Sequence, residues 1–86
     1  MADVYQHYLH DLGILIREQA LNSRRDADSA QDEGDRVFAL GQNMSYYSIV
    51  SLMLQQAAAF NLSPDDIGLA DLNPELDLLT PGNRSR

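Results

Sequence analysis

From Arg36 to Asn61 the chain reads RVFALGQNMSYYSIVSLMLQQAAAFN, and this segment sets the architecture. Its aliphatic and aromatic residues recur at helical spacing and cover about 200° of a helix surface. The next charged residue after Arg36 is Asp65. A helix without a charged side chain over this length is normally covered on more than one side. We therefore predict a long helix over 36–61 that a single neighbouring helix cannot cover.

A first helix is predicted upstream, over residues 3–22. Its main apolar residues fall within about 160° of one another, which predicts a face directed at the core. They are Val4, Tyr5, Tyr8, Leu9, Leu12, Leu15, Ile16 and Ala20. A second line lies on the opposite side and consists of His7, His10, Ile14 and Leu21. It holds either ordinary exposed aliphatics or a packing seam for the C-terminal helices, a second subunit or a partner.

Residues 22–36 contain no large apolar side chain. We expect a solvated turn or a frayed helical extension here, with Gly34 as the break and Asp32 or Asp35 as the N-cap of the second helix.

The C-terminal part carries two helix-start signals. Ser63-Pro64-Asp65-Asp66 combines an N-cap serine, a first-turn proline and acidic residues, and Asn73-Pro74-Glu75 is similar. Short helical turns are therefore expected over 64–70 and 74–79, followed by a flexible tail over 80–86. The residues expected to fold back over the two long helices are Leu62, Ile67, Leu69, Leu72, Leu76 and Leu79.

The predicted fold class is all-α, because no stretch alternates with the period of a strand. Residues 1–79 form one small domain, an antiparallel helical hairpin with one or two short C-terminal capping helices. Two copies of such a hairpin would make a four-helix bundle.

Composition excludes several function classes. The 86 residues include 13 acids, six arginines and neither lysine nor cysteine, with a net charge of −7. Disulfides, thiolate nucleophiles and Schiff-base chemistry are therefore absent, and nucleic-acid binding is disfavoured because phosphate affinity needs clustered cations. The N-terminus lacks a signal-peptide pattern, and polar residues interrupt the apolar segment. We expect a cytoplasmic protein that binds no membrane.

Catalytic and metal sites are also disfavoured. His7, His10 and Asp11 share a helix and could offer ligands to a metal, but such spacing is more often an exposed helical pair. The serines and tyrosines of the second helix have neither a nucleophile elbow nor a histidine nearby in sequence. We therefore predict no catalytic residue, no cofactor and no metal.

Binding to another protein is the function that remains. The segment from Asp65 to Asp77 contains several acids and no cation, so it would attract a basic partner. In size and charge alone the chain resembles bacterial immunity proteins and antitoxins that neutralise basic toxins. We predict a module that blocks a basic partner; the alternative is a homodimeric structural or adaptor protein. The predicted contact residues are Tyr46, Tyr47, Val50 and Leu54 at the apolar centre, with Asp65, Asp66, Asp71 and Asp77 around it.

Overall fold

The computed structural model describes residues 2–80, and every regular element in that range is helical. Helix α1 spans Ala2–Ser29 and helix α2 spans Glu33–Ala59, and the two pack as a hairpin. A 3₁₀ helix, Pro64–Ile67, and a π-helical turn, Glu75–Leu79, follow. The predicted all-α hairpin with two short C-terminal caps is confirmed. The predicted tail over 80–86 lies, apart from Thr80, outside the described residues.

The turn between the long helices is much shorter than the predicted one. Helix α1 continues to Ser29, so the prediction of a solvated turn over 22–36 is wrong for most of that range, and only the helical extension holds. Ser23 and Ala27 are 3% and 4% exposed. Because these side chains are small, the two helix backbones can approach closely without a large apolar residue between them.

Helix α2 begins at Glu33 because Asp32 caps it. The Asp32 carboxylate accepts a 2.8 Å hydrogen bond from the backbone N–H of Asp35, one of the donors that lack an intrahelical partner. Of the two predicted N-caps, Asp32 has this role and Asp35 does not. Gly34 lies inside the first turn of α2, so the predicted break at Gly34 is wrong.

The core is small and rich in alanine. The long helices contribute four buried alanines and Val50, whereas the larger buried aliphatics come from the C-terminal segment. The buried hydrophobic residues are Ala20, Ala27, Ala39, Val50, Ala57, Ile67, Leu69, Leu72 and Leu78. Since apolar burial is the main stabilising contribution in a small domain, the C-terminal segment is an essential layer of the fold.

Two contacts hold the C-terminal segment on one side of the hairpin. Gly68 meets α1 at Gly13, where a side chain on either glycine would overlap the facing backbone. Gly68 also has a φ of 77°, a left-handed conformation that glycine adopts without strain. Further along, the carbonyl oxygen of Leu78 accepts hydrogen bonds from Asn43 and Arg24. The segment thereby bridges both helices.

Three leucines that are predicted to fold back over the hairpin, one before the 3₁₀ helix and two in the last turn, are exposed instead. Leu62, Leu76 and Leu79 are exposed, while Leu78 is fully buried. Residues 75–79 form a π-helical turn rather than an α-helical one, and its hydrogen bonds span five residues instead of four. This difference in winding changes which leucine points inward.

The buried side of α1 is rotated relative to the predicted core-facing arc. Val4, Tyr5, Tyr8 and Leu15 belong to that arc but are exposed. The C-terminal segment packs on the side of Gly13, and the helix turns that side inward. The line predicted on the opposite side of α1 is therefore partly covered, since its residues His10, Ile14 and Leu21 are half-buried.

Candidate partner-binding surface

The side of the hairpin that faces away from the C-terminal segment remains uncovered and apolar. We call this surface the open face. Its seven large side chains are between 44% and 77% exposed. They are Tyr5, Tyr8 and Leu15 of α1, with Phe38, Ile49, Leu52 and Phe60 of α2 and its C-terminal end.

Helical spacing aligns these residues along each helix. On α1, Tyr5, Tyr8 and Leu15 follow at intervals of three and seven residues, and Leu12 fills the gap. Phe38, Ile49 and Phe60 follow at intervals of eleven residues, or about three helical turns. Each helix therefore presents one continuous apolar line.

Contacts between the helices put both lines on the same side. Asp26 lies three turns beyond Leu15 on α1, and it lines a shallow surface pocket together with Phe38 of α2. At the other end of the hairpin, Phe60 lines an apolar pocket of about 280 Å³ with Leu9 and Met53, and Leu62 and Ile67 at the start of the C-terminal segment line the same pocket. The contact near Phe38 and the helical spacing therefore place the two apolar lines along the groove between α1 and α2, and Phe60 lies at the end of this groove, where the C-terminal segment begins.

Charge is distributed unevenly along the two edges of the open face. On the α2 side, the polar residues between the apolar ones are uncharged: Gln42, Ser45 and Gln56. On the α1 side, the exposed acids Asp11 and Glu18 lie one turn before and one turn after Leu15. The open face therefore has an acidic edge on α1 and, from Phe38 to Phe60, an uncharged edge on α2, while Asp26 and Asp35 add acids at the end next to the turn.

The predicted apolar contact residues lie elsewhere. Val50 is 0% exposed and belongs to the core, so its side chain has no surface to offer a partner. Tyr46, Tyr47 and Leu54 are half-buried and pack against the core cluster. Both tyrosines thus face the core, and the Tyr47 hydroxyl donates a 3.0 Å hydrogen bond to Glu75 of the C-terminal turn.

The predicted acidic residues all lie in the C-terminal segment, where Asp65 and Asp71 line one surface pocket. Asp65, Asp66 and Asp71 are exposed and Asp77 is half-buried. Two of them have structural roles, since the Asp66 carboxylate completes a capping box with Ser63. The Asp77 carboxylate accepts a 2.9 Å hydrogen bond from the backbone N–H of Asn73. Asp65 and Asp71 have no ion-pair partner within residues 2–80.

Sequence reasoning did not select the open-face residues as contact residues. The apolar spacing of α1 predicts Tyr5, Tyr8 and Leu15 as core residues. On α2 the apolar residues cover so much of the helix that the spacing does not indicate which of them are exposed. The signal that could have found the α1 line is the 3–4–3 spacing of Tyr5, Tyr8, Leu12 and Leu15, which is the spacing of a helix-packing seam.

Two other features are absent from residues 2–80. Within residues 2–80 no group of three histidine, aspartate or glutamate side chains is arranged to hold a metal ion, and His7, His10 and Asp11 form no such group. None of the helices described has both the length and the apolar character required to cross a bilayer.

Comparisons with known proteins add no assignment. No protein-family model matches the sequence, and no curated protein or solved structure shows significant similarity to the chain.

Proposed function

We propose that this chain is a helical protein-interaction module that binds its partner through the open face. The observation that carries the proposal is the exposure of seven large apolar side chains, four of them aromatic, on one side of the hairpin. An aromatic side chain buries about 150–250 Å² in a core or an interface, so four rings about two-thirds exposed offer on the order of 500 Å². The aliphatic residues extend this area beyond the largest apolar patch of a typical monomer.

The polar residues of the open face fit the same function. Charged residues are depleted at the centres of protein interfaces, whereas aromatic residues are enriched there. The α2 edge has no charged side chain between Val37 and Phe60, and the acids of α1 lie at the border. An apolar centre with charges confined to its rim is the usual anatomy of a protein-binding surface.

A second candidate function is the blocking of a basic protein. It is favoured by Asp65 and Asp71, which are exposed and have no ion-pair partner within the described residues, and by the net charge of −7. Such a surface would accelerate association with a cationic partner. It ranks second because Asp66 and Asp77 already serve as local caps, so part of the acidic cluster has a structural explanation.

Photo-crosslinking tests the proposal. A photoreactive phenylalanine analogue at Tyr8, on the open face, is expected to yield protein adducts in cells that express the chain. The matched position is Met44, which is 50% exposed and lies about 140° from Ile49 around α2. Adducts from Tyr8 that exceed those from Met44 and disappear with Leu52→Glu support the proposal. Equal yields from the two positions, or no adduct from Tyr8, would contradict it.

The acidic candidate predicts a different outcome. If a basic protein is captured, Asp65→Asn together with Asp71→Asn should reduce the adduct yield and weaken its dependence on salt, because rim charges act mainly on the association rate. Unchanged yields with this double variant would exclude the acidic cluster from binding.

A further inference from the structure

We infer that the partner on the open face is a second copy of this chain, with α1 of each copy packed against α2 of the other. The inference rests on the proposed function, because it names the protein that the open face binds. Three properties of the face carry it: its area, the spacing of its residues and the placement of its charges.

The area fits a dimer of standard size. Four partly exposed aromatic side chains and the aliphatic Leu15, Ile49 and Leu52 together offer on the order of 700–900 Å² per chain. A stable protein interface buries about 800 Å² on each partner. A second copy would also supply the burial that an alanine-rich core of this size lacks, because small domains often obtain it by oligomerisation.

The spacing of the residues fits helix-to-helix packing. On α1 the line Tyr5, Tyr8, Leu12 and Leu15 has steps of three, four and three residues. On α2 the line has alternating steps of four and three residues, and its members are Phe38, Gln42, Ser45, Ile49, Leu52 and Gln56. Alternating steps of three and four keep side chains on the seam between helices of a left-handed bundle. Both helices of the hairpin thus carry a seam, as the four helices of a dimeric bundle require.

The placement of charge selects the arrangement of the two copies. If α1 packed against α1 of the second copy, the exposed acids Asp11 and Glu18 of both chains would border the same seam without a cation between them. Like charges in such positions are repulsive. If α1 packs against α2 of the second copy, Asp11 and Glu18 meet the part of α2 between Val37 and Phe60, which has no charged side chain. A two-fold axis parallel to the helices produces this arrangement and makes both halves of the interface identical.

This symmetry predicts which residues meet. Within one hairpin, the Ser23 hydroxyl lies 3.3 Å from the Asn43 side-chain oxygen, and this contact gives the register of α1 against α2. Counting helical turns from that pair places Leu15 at the level of Leu52. A two-fold axis parallel to the helices keeps this level, so Leu15 of one copy should lie against Leu52 of the other.

Sedimentation measures the association directly. At about 100 μM, well above a micromolar dissociation constant, the full chain and Met44→Glu should sediment with twice the 9.6 kDa mass of one chain. Tyr8→Glu and Leu52→Glu should sediment as monomers with unchanged helical circular dichroism, because both side chains are largely exposed in the hairpin. A monomeric parent chain, or dimers in all four proteins, would overturn the inference. Should either open-face variant fail to fold, Leu15→Gln replaces it as a milder disruption.

Disulfide trapping then tests the arrangement, and the lack of native cysteines makes it specific. Leu15→Cys and Leu52→Cys chains are prepared separately, mixed and oxidised. Random pairing of equal amounts would already make half of the disulfides mixed. A mixed fraction clearly above one half supports the packing of α1 against α2 of the second copy, and a random distribution or predominance of a symmetric disulfide overturns it. Failure of this inference is distinguishable from failure of the proposed function. A monomeric chain whose Tyr8 position still crosslinks specifically to a different protein would refute the second copy and retain the binding surface.

Discussion

Asn43 joins the middle of α2 to the end of the C-terminal segment, because its side-chain N–H donates a 2.6 Å hydrogen bond to the carbonyl oxygen of Leu78. The same carbonyl accepts a 3.2 Å hydrogen bond from Arg24 of α1. The Asn43 side-chain oxygen lies 3.3 Å from the hydroxyl of Ser23, which donates a 2.6 Å hydrogen bond to the carbonyl oxygen of Ala20. One buried network therefore connects all three layers of the fold.

We expect Asn43→Ala to lower the free energy of unfolding by about 1–3 kcal/mol, since it removes a donor from a buried carbonyl and leaves a small void. Urea denaturation measures the change. The control is Gln55→Ala, at an exposed position of α2 outside the line that packs against the second copy, which should stay within about 0.5 kcal/mol of the parent chain. A similar loss in both variants would mean that the loss does not come from the buried network; helix propensity cannot cause it, because alanine is the better helix former at both positions.

Substitution by alanine should change the free energy of unfolding in opposite directions at Gly13 and Gly41. At Gly13 a methyl group would overlap the carbonyl group of Ile67, and backbone cannot rotate away as a side chain can. We expect Gly13→Ala to cost more than about 3 kcal/mol, at or above the usual range for overpacking. At Gly41 nothing lies within 4 Å of the added carbon, so Gly41→Ala should raise the free energy of unfolding by about 0.5–1 kcal/mol. Denaturation midpoints that shift in the same direction for both variants would contradict the observed contact between α1 and the C-terminal segment.

The cap of α2 gives a matched pair of acids. Asp32→Ala should cost about 1 kcal/mol, because it removes the acceptor for the N–H of Asp35. Asp35→Ala removes an acid from the same helix end and leaves that hydrogen bond intact. It should cost only a few tenths of a kcal/mol, the contribution of an exposed charge to the helix dipole. Thermal unfolding of the two variants side by side tests the assignment, which fails if Asp35→Ala is the more harmful change.

Substitutions of Tyr47 distinguish a role in folding from a role in binding. Because it is half-buried against the core, Tyr47→Ala should reduce the free energy of unfolding by about 2 kcal/mol. Tyr47→Phe removes only the hydrogen bond to the exposed Glu75 and should cost less than about 1 kcal/mol. Sedimentation of Tyr47→Phe should match that of the parent chain. A clear loss of association in this variant would return Tyr47 to the binding surface.

The hairpin and its C-terminal caps could be predicted because their signals are local. The spacing of α2 and its lack of charge indicate a long covered helix, and the sequence Ser63-Pro64-Asp65-Asp66 specifies a helix start through its own hydrogen bonds. Such signals depend on residues a few positions apart, so one sequence is enough to detect them.

The rotation of α1 could not be predicted, because it depends on a contact that has no apolar signal. Gly13 and Gly68 determine which side of α1 faces inward, because their backbones are in close contact. Glycine has no side chain, so this contact leaves no trace in a hydrophobic pattern. Tyr5, Tyr8 and Leu15 consequently look like core residues in the sequence but are exposed in the fold. On α2, apolar residues surround most of the helix, so periodicity alone cannot separate the buried Val50 from the exposed Leu52.

The thermal stability of the chain should depend on its concentration if two copies share the open face. Association that is restricted to folded chains stabilises them by mass action. A tenfold rise in concentration adds about 1.4 kcal/mol per dimer, or about 0.7 kcal/mol per chain, which corresponds to an increase in Tm of about 3–5 °C for a domain of this size.

Calorimetry over a hundredfold concentration range measures this slope. Met44→Glu should retain the slope of the parent chain, because Met44 lies outside the open face. Leu52→Glu should unfold at a Tm that is independent of concentration, since its monomer gains nothing from mass action. The two variants add the same charge to the same helix, so a difference between their slopes must come from the position of the side chain. A parent chain without any slope would mean that the folded hairpin does not self-associate, and the exposed aromatic residues would then require a different partner.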